Sequence, residues 1–267
     1  MLDFQSIMIF LLLGSFVGVI AGLFGIGGGG LMVPVLTMFL LSHEFGGDQV
    51  IQISLATSMA VIAITAVASF RAQHKKKAVR WDLFRMIAPG VIVGTFLFTF
   101  LASVMNSVYL SMFFSFFMLY VALQMFFMKP VASTHKIIGR VGQFFAGFGI
   151  GGISALVSIG GGMLSVPYLV KQNIDMKKAV GTSSAIGFPL AISGTVGYIV
   201  NGYEYTSIET MMLGYIYIPA FLSIAFASYL TAPIGVSLSH KLPVGILKKV
   251  FALLTFFLSV KMMIEVI

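Results

Sequence analysis

The sequence predicts an all-α polytopic membrane protein made of two repeats of inverted topology, and three observations predict it. The 267 residues are 59% hydrophobic and only 9% charged, with a mean hydropathy of +1.05. A glycine-broken motif occurs twice, and the basic residues are confined to alternate loops. A water-soluble domain carries about 25% charged residues, so a soluble fold is excluded. The chain reads as a single integral membrane domain.

Its two repeats cover 1–130 and 136–267, and each is a broken pair of segments followed by three full spans. A hydrocarbon core about 30 Å thick needs roughly 20 apolar residues per crossing helix. In the N-terminal repeat the broken pair is 5–23 and 31–41, followed by spans at 50–70, 84–104 and 108–128. In the C-terminal repeat it is 141–158 and 164–171, followed by 179–200, 210–232 and 245–265. Segments 31–41 and 164–171 are too short to cross alone, which makes them half-helices or the second arms of re-entrant hairpins. The first apolar stretch, Ile7 to Ala21, has no basic region before it and glycines rather than a cleavage site after it. It is therefore expected to stay in the mature protein.

The duplication is legible residue by residue. Phe24-Gly25-Ile26-Gly27-Gly28-Gly29-Gly30-Leu31-Met32-Val33-Pro34 sets against Val157-Ser158-Ile159-Gly160-Gly161-Gly162-Met163-Leu164-Ser165-Val166-Pro167, with three glycines, a Leu, a Val and a Pro in register. Upstream, Gly14, Gly18 and Gly22 fall on Gly147, Gly151 and Ala155. Small residues at every fourth position let a second helix approach closely. Downstream, Ala56-Thr57-Ser58 matches Gly181-Thr182-Ser183, and Pro89 matches Pro219.

Charge sets the orientation. Every Lys and Arg except Lys261 falls in the loops 71–85, 129–140, 171–178 and 239–249, which the positive-inside rule assigns to the cytoplasm. Asp3, Glu44, Asp48, Glu204, Glu209 and Glu265 fall in the alternate segments, so both termini are expected outside. Loop 42–49 is acidic where its partner 171–178 is basic, and 71–85 is basic where 201–209 is acidic. The repeats are therefore expected to be inverted, an architecture that many secondary transporters use for alternating access.

The glycine runs carry the chemistry. Glycine in mid-membrane breaks a helix and exposes backbone N–H groups that must be satisfied. Each run precedes an apolar half-helix with Pro34 or Pro167 expected near its first turn, where a missing N–H costs nothing. Such a helix N-terminus carries about half a positive charge and several free donors, so it holds an anion without Lys or Arg. The candidate anion site is thus Gly27, Gly28 and Gly29 from one break with Gly160, Gly161 and Gly162 from the other. Tight helix crossing alone is the competing explanation of these glycines. Thr57, Ser58, Thr182, Ser183 and Ser184 add hydroxyl donors, although such residues in membrane helices often bond back to the i−4 carbonyl instead.

Several classes are excluded. Cysteine is absent, which removes disulfides, thiolate chemistry and cysteine-bound metals. His43, His74, His135 and His240 fall in loops without partners at ligand spacing, so no metal and no cofactor is expected. All Asp and Glu lie in loops or near a membrane edge, leaving no carboxylate at depth for proton or sodium coupling and no nucleophile–base pair for an enzyme. The net charge of +8 reflects topology rather than nucleic-acid binding.

At Gly25-Ile-Gly-Gly-Gly-Gly-Leu-Met-Val-Pro34, Ser158-Ile-Gly-Gly-Gly-Met-Leu-Ser-Val-Pro167 and Ala179-Val-Gly-Thr-Ser-Ser-Ala-Ile-Gly-Phe-Pro-Leu-Ala-Ile-Ser-Gly-Thr-Val-Gly-Tyr198, the sequence resembles the sulfite exporter TauE/SafE family of bacterial and archaeal membrane proteins. The resemblance runs end to end. It implies a multi-pass permease of the inner (cytoplasmic) membrane whose partners are the lipid bilayer and a small inorganic or organosulfur anion. Sulfite or an organosulfonate such as sulfoacetate would be the substrate, and export the usual direction. Related thiosulfate importers rely on intramembrane cysteines, which this chain lacks, so thiosulfate relay is disfavoured. Uptake of another small anion or carboxylate, and a membrane scaffold without transport, are the alternatives. The oligomeric state is left open.

Overall fold

Lipid cannot satisfy backbone N–H and C=O groups, so apolar segments must close their hydrogen bonds internally, and this chain does so as helices. The computed structural model describes residues 4–24, 27–127, 138–239, 252, 253, 255–262 and 264. In chain order these form α1 (Phe4–Phe24), α2 (Gly29–Ser42), α3 (Val50–Lys75), α4 (Trp81–Val104), α5 (Ser107–Phe127), α6 (Arg140–Val157), α7 (Gly162–Lys171), α8 (Met176–Asn201), a hairpin of β1 (Met212–Leu213) and β2 (Ile216–Tyr217), and α9 (Ile218–Ser239). Among the described residues, 7 helices are long and apolar enough to cross a membrane. With 14 and 10 residues, α2 and α7 reach only about 21 and 15 Å and are half-helices. Of the span expected over 245–265, residues 255–262 are helical, and much of the rest lies outside the described residues. So do Gly25, Ile26, His135, His240, both termini and the basic residues of 129–136 and 241–249.

Two expectations are corrected. The span placed at 210–232 begins instead at Ile218 and ends at Ser239. Residues 212–217 pair as a hairpin, Met212 with Tyr217 and Leu213 with Ile216, and turn through Gly214 at φ +58°. Hydropathy alone does not separate an apolar hairpin from a helix, but a glycine between two short apolar pairs does. Pro34 and Pro167 were expected near a first turn, yet each is the sixth residue of its helix, because α2 and α7 start within the glycine runs rather than after them. There the missing N–H removes the bonds that would engage the carbonyls of Gly30 and Met163.

Central and peripheral helices differ in burial. In α3, 83% of the most apolar window is buried and in α8 61%, against 39 to 50% for the other spanning helices. The most extensive packing joins α1 to α9 and α4 to α6. Gly14, Gly18 and Gly22 meet Ile224, Ser228 and Ala232, so α1 and α9 advance together as parallel neighbours. Gly147 and Gly151 meet Ile87 and Val91 in the same way, making α6 parallel to α4. A Cβ at Gly14 or Gly18 would stand 2.5 Å from a backbone oxygen of α9, so the small-residue faces permit the close approach that their spacing implies. On the outside, Phe4, Leu12, Val104, Tyr109, Phe116, Phe145 and Phe226 are exposed. Large apolar side chains on every peripheral helix suit lipid rather than water.

Charge separates by end. Lys76 Nζ donates to Val236 O at 3.1 Å near the last turn of α9, and Ala78 packs on Gly181 near the start of α8. The N–H of Ile138, just before α6, reaches Gln172 at the end of α7. One end therefore gathers Arg71, Lys75, Lys76, Lys77, Arg80, Arg140, Lys171, Lys177 and Lys178. At the opposite end α2 runs out to Glu44, Ser107 Oγ bonds the carbonyl of Asp48, and the 203–217 segment brings Glu204 and Glu209. Burial, with Tyr205 and Glu204 nearby, pushes the Tyr215 hydroxyl above its ordinary range.

Candidate functional site

Each half-helix begins at a glycine that takes the left-handed conformation, Gly28 at φ +77° and Gly161 at φ +76°. A residue with a Cβ costs about 1–2 kcal/mol more there. Leu31 and Met32 both donate to the Gly28 carbonyl, and Leu164 and Ser165 both donate to that of Gly161. The N–H groups of Gly29, Gly30, Gly162 and Met163 have no partner among the described residues. They lie at the positive dipole ends of two buried helix N-termini.

The two breaks abut. A Cβ on Gly27 would lie 2.9 Å from Gly160 Cα and 2.9 Å from Ile62 Cγ2, and Gly29 is pressed on the Ser158 carbonyl. A Cβ on Gly187 would lie 2.8 Å from Gly160 O. Ser158 Oγ donates to Leu55 O at 2.9 Å, tying the second break to α3. Because Ile62 and Gly187 sit near the midpoints of the 26-residue helices α3 and α8, the abutment lies at mid-depth.

Beside it is a cavity of about 10 Å³, room for the centre of one water, lined among others by Gly27, Gly160, Ile62, Ser69, Ser184 and Gly187. Among the described residues, no charged side chain lines it. Ser69 Oγ is buried without a hydrogen-bond partner, whereas Ser184 Oγ donates to Val180 O at 3.0 Å. A buried hydroxyl left unpaired costs about 1–3 kcal/mol, and the Ser69 hydroxyl is a donor at this cavity that no described residue engages.

The sequence-derived site residues divide accordingly. Gly27, Gly160 and Ser184 come together at the cavity. Gly28 packs toward Val17 and Gly161 toward Leu190, and neither lines it. Gly29 and Gly162 open the two half-helices with N–H groups that have no partner among the described residues. Thr57 Oγ1 accepts the N–H of Tyr217 at 3.0 Å, at the start of α9, and Thr182 Oγ1 accepts the N–H of Arg80 at 2.9 Å, at the start of α4. These matched threonines cap the helix that follows in the other half. Ser183 bonds Ser165 at 2.7 Å, while Ser58, its match, has a buried and unpartnered Oγ. The position matching Ser165 is Met32, which has no hydroxyl to offer. Sequence reasoning missed Ser69, Ile62 and Gly187. The spacing of Ser58, Ile62, Ala66 and Ser69 marks one helix face and was the signal that could have found Ser69.

Comparison with known proteins places this geometry in a family. A protein of Haemophilus influenzae described as a "probable membrane transporter protein" is 34% identical over 98% of this chain and 100% of its own length. A "probable membrane transporter protein" of Methanocaldococcus jannaschii is 26% identical over 90% of both chains, and one of Bacillus subtilis is 26% identical over 74% of this chain and 80% of its own. No solved structure matches the chain. The profile described as sulfite exporter TauE/SafE matches residues 10–262, and the chain belongs to that family of membrane transporters.

Proposed function

We propose that this protein carries a small sulfur oxyanion, sulfite or an organosulfonate, out of the cell across the cytoplasmic membrane. Its two inverted repeats, 1–130 and 136–267, would expose a shared central site to each side in turn. The observation that carries this reading is the abutment of two buried, uncharged helix N-termini beside a cavity with an unpartnered hydroxyl. Free N–H groups and hydroxyls suit an oxyanion and bind protons or metal cations poorly. The inverted arrangement is supported by direction: α2 leaves the abutment toward the acidic end, and its match α7 leaves it toward the basic end. By the positive-inside rule the basic end is cytoplasmic and both termini are outside.

An inside-negative potential acts on each elementary charge with about 2.3 kcal/mol per 100 mV, so a monovalent anion flows outward without a coupling ion. A second reading, a cation-coupled carrier, is favoured by the carbonyls of Gly30 and Met163 that Pro34 and Pro167 release, since unwound carbonyls are cation ligands in other transporters. Reconstitution into liposomes under a potassium–valinomycin potential separates the two. Uniport predicts sulfite or sulfoacetate flux that follows the voltage. Flux that ignores the voltage yet follows a sodium or proton gradient, under a non-titrating sulfonate, establishes coupling. No flux of any anion in the panel overturns both.

A further inference from the structure

The two halves close their outer ends with opposite chemistry. In the register that matches Phe24 with Val157, Phe10 and Phe39 occupy the positions of Gln143 and Gln172. Where α2 reaches the acidic end, Phe39 packs edge-on against Phe10 with ring centroids 4.7 Å apart, and Tyr217 and Phe45 extend the aromatic cluster. Where α7 reaches the basic end, the same two positions hold a buried amide network. Gln143 Nε2 donates to Gln172 Oε1 at 2.6 Å, Tyr168 OH donates to Gln143 Oε1 at 2.8 Å, and the Ile138 N–H donates to Gln172 Oε1 at 3.2 Å. Both glutamines are nearly inaccessible, 0% and 3% exposed.

The network is not complete. Gln172 Nε2 is buried and has no hydrogen-bond partner among the described residues. A contact needed only for packing would be served by an apolar pair, as Phe10 and Phe39 serve it in the other half. A half-satisfied amide pair is a worse structural choice than an apolar one. Its unused donor is, however, what an oxyanion requires, and it stands next to Lys171 in sequence, with Arg140 in the first turn of α6 and Lys177 and Lys178 in the first turn of α8. That charge concentrates anions at this end.

We propose that Gln143, Gln172 and Tyr168 form a second binding station for a small oxyanion and the polar gate of the basic end, with Phe10 and Phe39 as an apolar gate at the acidic end. The anion docks on Gln172 Nε2 and replaces the Gln143–Gln172 bond, so the gate opens for anions in preference to neutral molecules. The aromatic gate offers no such exchange. This rests on the transport reading above, and its test is separable from that of transport.

The native chain has no cysteine, so Ser184→Cys places one thiol at the cavity. Oriented vesicles are treated from one face with an anionic sulfonatoethyl thiosulfonate reagent or with its neutral methyl counterpart, and the ratio of labelling rates is read. Adding Gln143→Leu and Gln172→Leu should lower the anionic-to-neutral ratio from the Lys171 face about tenfold, the worth of one charged hydrogen bond, and leave the Glu44 face unchanged. Adding Phe10→Gln and Phe39→Gln should raise the ratio from the Glu44 face. If the double leucine variant does not accumulate, Gln172→Met, of similar length and without donors, carries the test. An unchanged ratio in the leucine or methionine variant means the glutamines only pack or hold water, and it overturns the proposal. A shifted ratio in a protein that transports none of the anions keeps the gate while removing the transport reading.

Discussion

Gly27→Ala and Gly161→Ala form a controlled pair. Both residues have nearly the same positive φ, +75° and +76°, so an alanine costs about 1–2 kcal/mol at either through backbone strain alone. Their surroundings differ. At Gly161 the new Cβ would stand 3.2 Å from Leu190 Cδ1, the tip of a side chain that shifts easily. At Gly27 it would stand 2.9 Å from Gly160 Cα, a backbone atom of the other break, where carbon atoms prefer about 3.5–4.0 Å. The breaks must part by more than half an ångström or overpack at about 1–3 kcal/mol, giving about 2–5 kcal/mol in total for Gly27→Ala. Thermal unfolding in detergent and anion flux in liposomes are measured for both. Gly27→Ala should be the less stable of the two, and because the breaks must part for an anion to pass, strain that already pushes them apart should alter flux per folded molecule, each 1.4 kcal/mol of changed barrier being about tenfold in rate. Gly161→Ala should stay within a few-fold of wild type. Equal changes in stability and in flux per folded molecule in the two variants would refute the reasoning that backbone contact between the breaks confines Gly27 more tightly than Leu190 confines Gly161.

Other consequences are as direct. Thr57→Val and Thr182→Val each strand a backbone N–H, of Tyr217 or Arg80, and should destabilise by about 1–3 kcal/mol; flux per folded molecule should be preserved, as read by flux normalised to monodisperse protein. Ser69→Ala removes a buried hydroxyl that has no partner, so thermal stability should hold or rise while the apparent affinity for the anion falls. A reporter active only in the cytoplasm, fused to Ile267, should give no signal, and one at the basic loop near Lys77 should give a strong one. The reverse pattern would remove the proposed orientation.

What was legible in the sequence was periodic or repeated. The short half-helices followed from length, and a close helix contact on α1 and on α6 from small residues at every fourth position, although not which helices, α9 and α4, would meet them. The charge separation followed from loops alone. Less legible were features that depend on what lies opposite. Thr57 and Thr182 looked like ligands because they recur beside the breaks, but their acceptor oxygens are engaged by N–H groups 160 and 102 residues distant in sequence. Hydropathy hid the 212–217 hairpin, whose apolar residues resemble those of a span. Ser69 was passed over because it has no match in the second copy, where a site that need not be symmetric leaves no trace in the repeat.

The cavity beside the abutting breaks has room for one water centre, and an anion with three oxygens on sulfur does not fit in it. Among the described residues, therefore, the abutting breaks leave no room for the anion to pass between them without moving apart. Each passage then waits on separation of packed helices, a motion of microseconds to milliseconds. Flux should saturate with anion concentration and depend steeply on temperature. The current from a single molecule should lie far below that of an open pore.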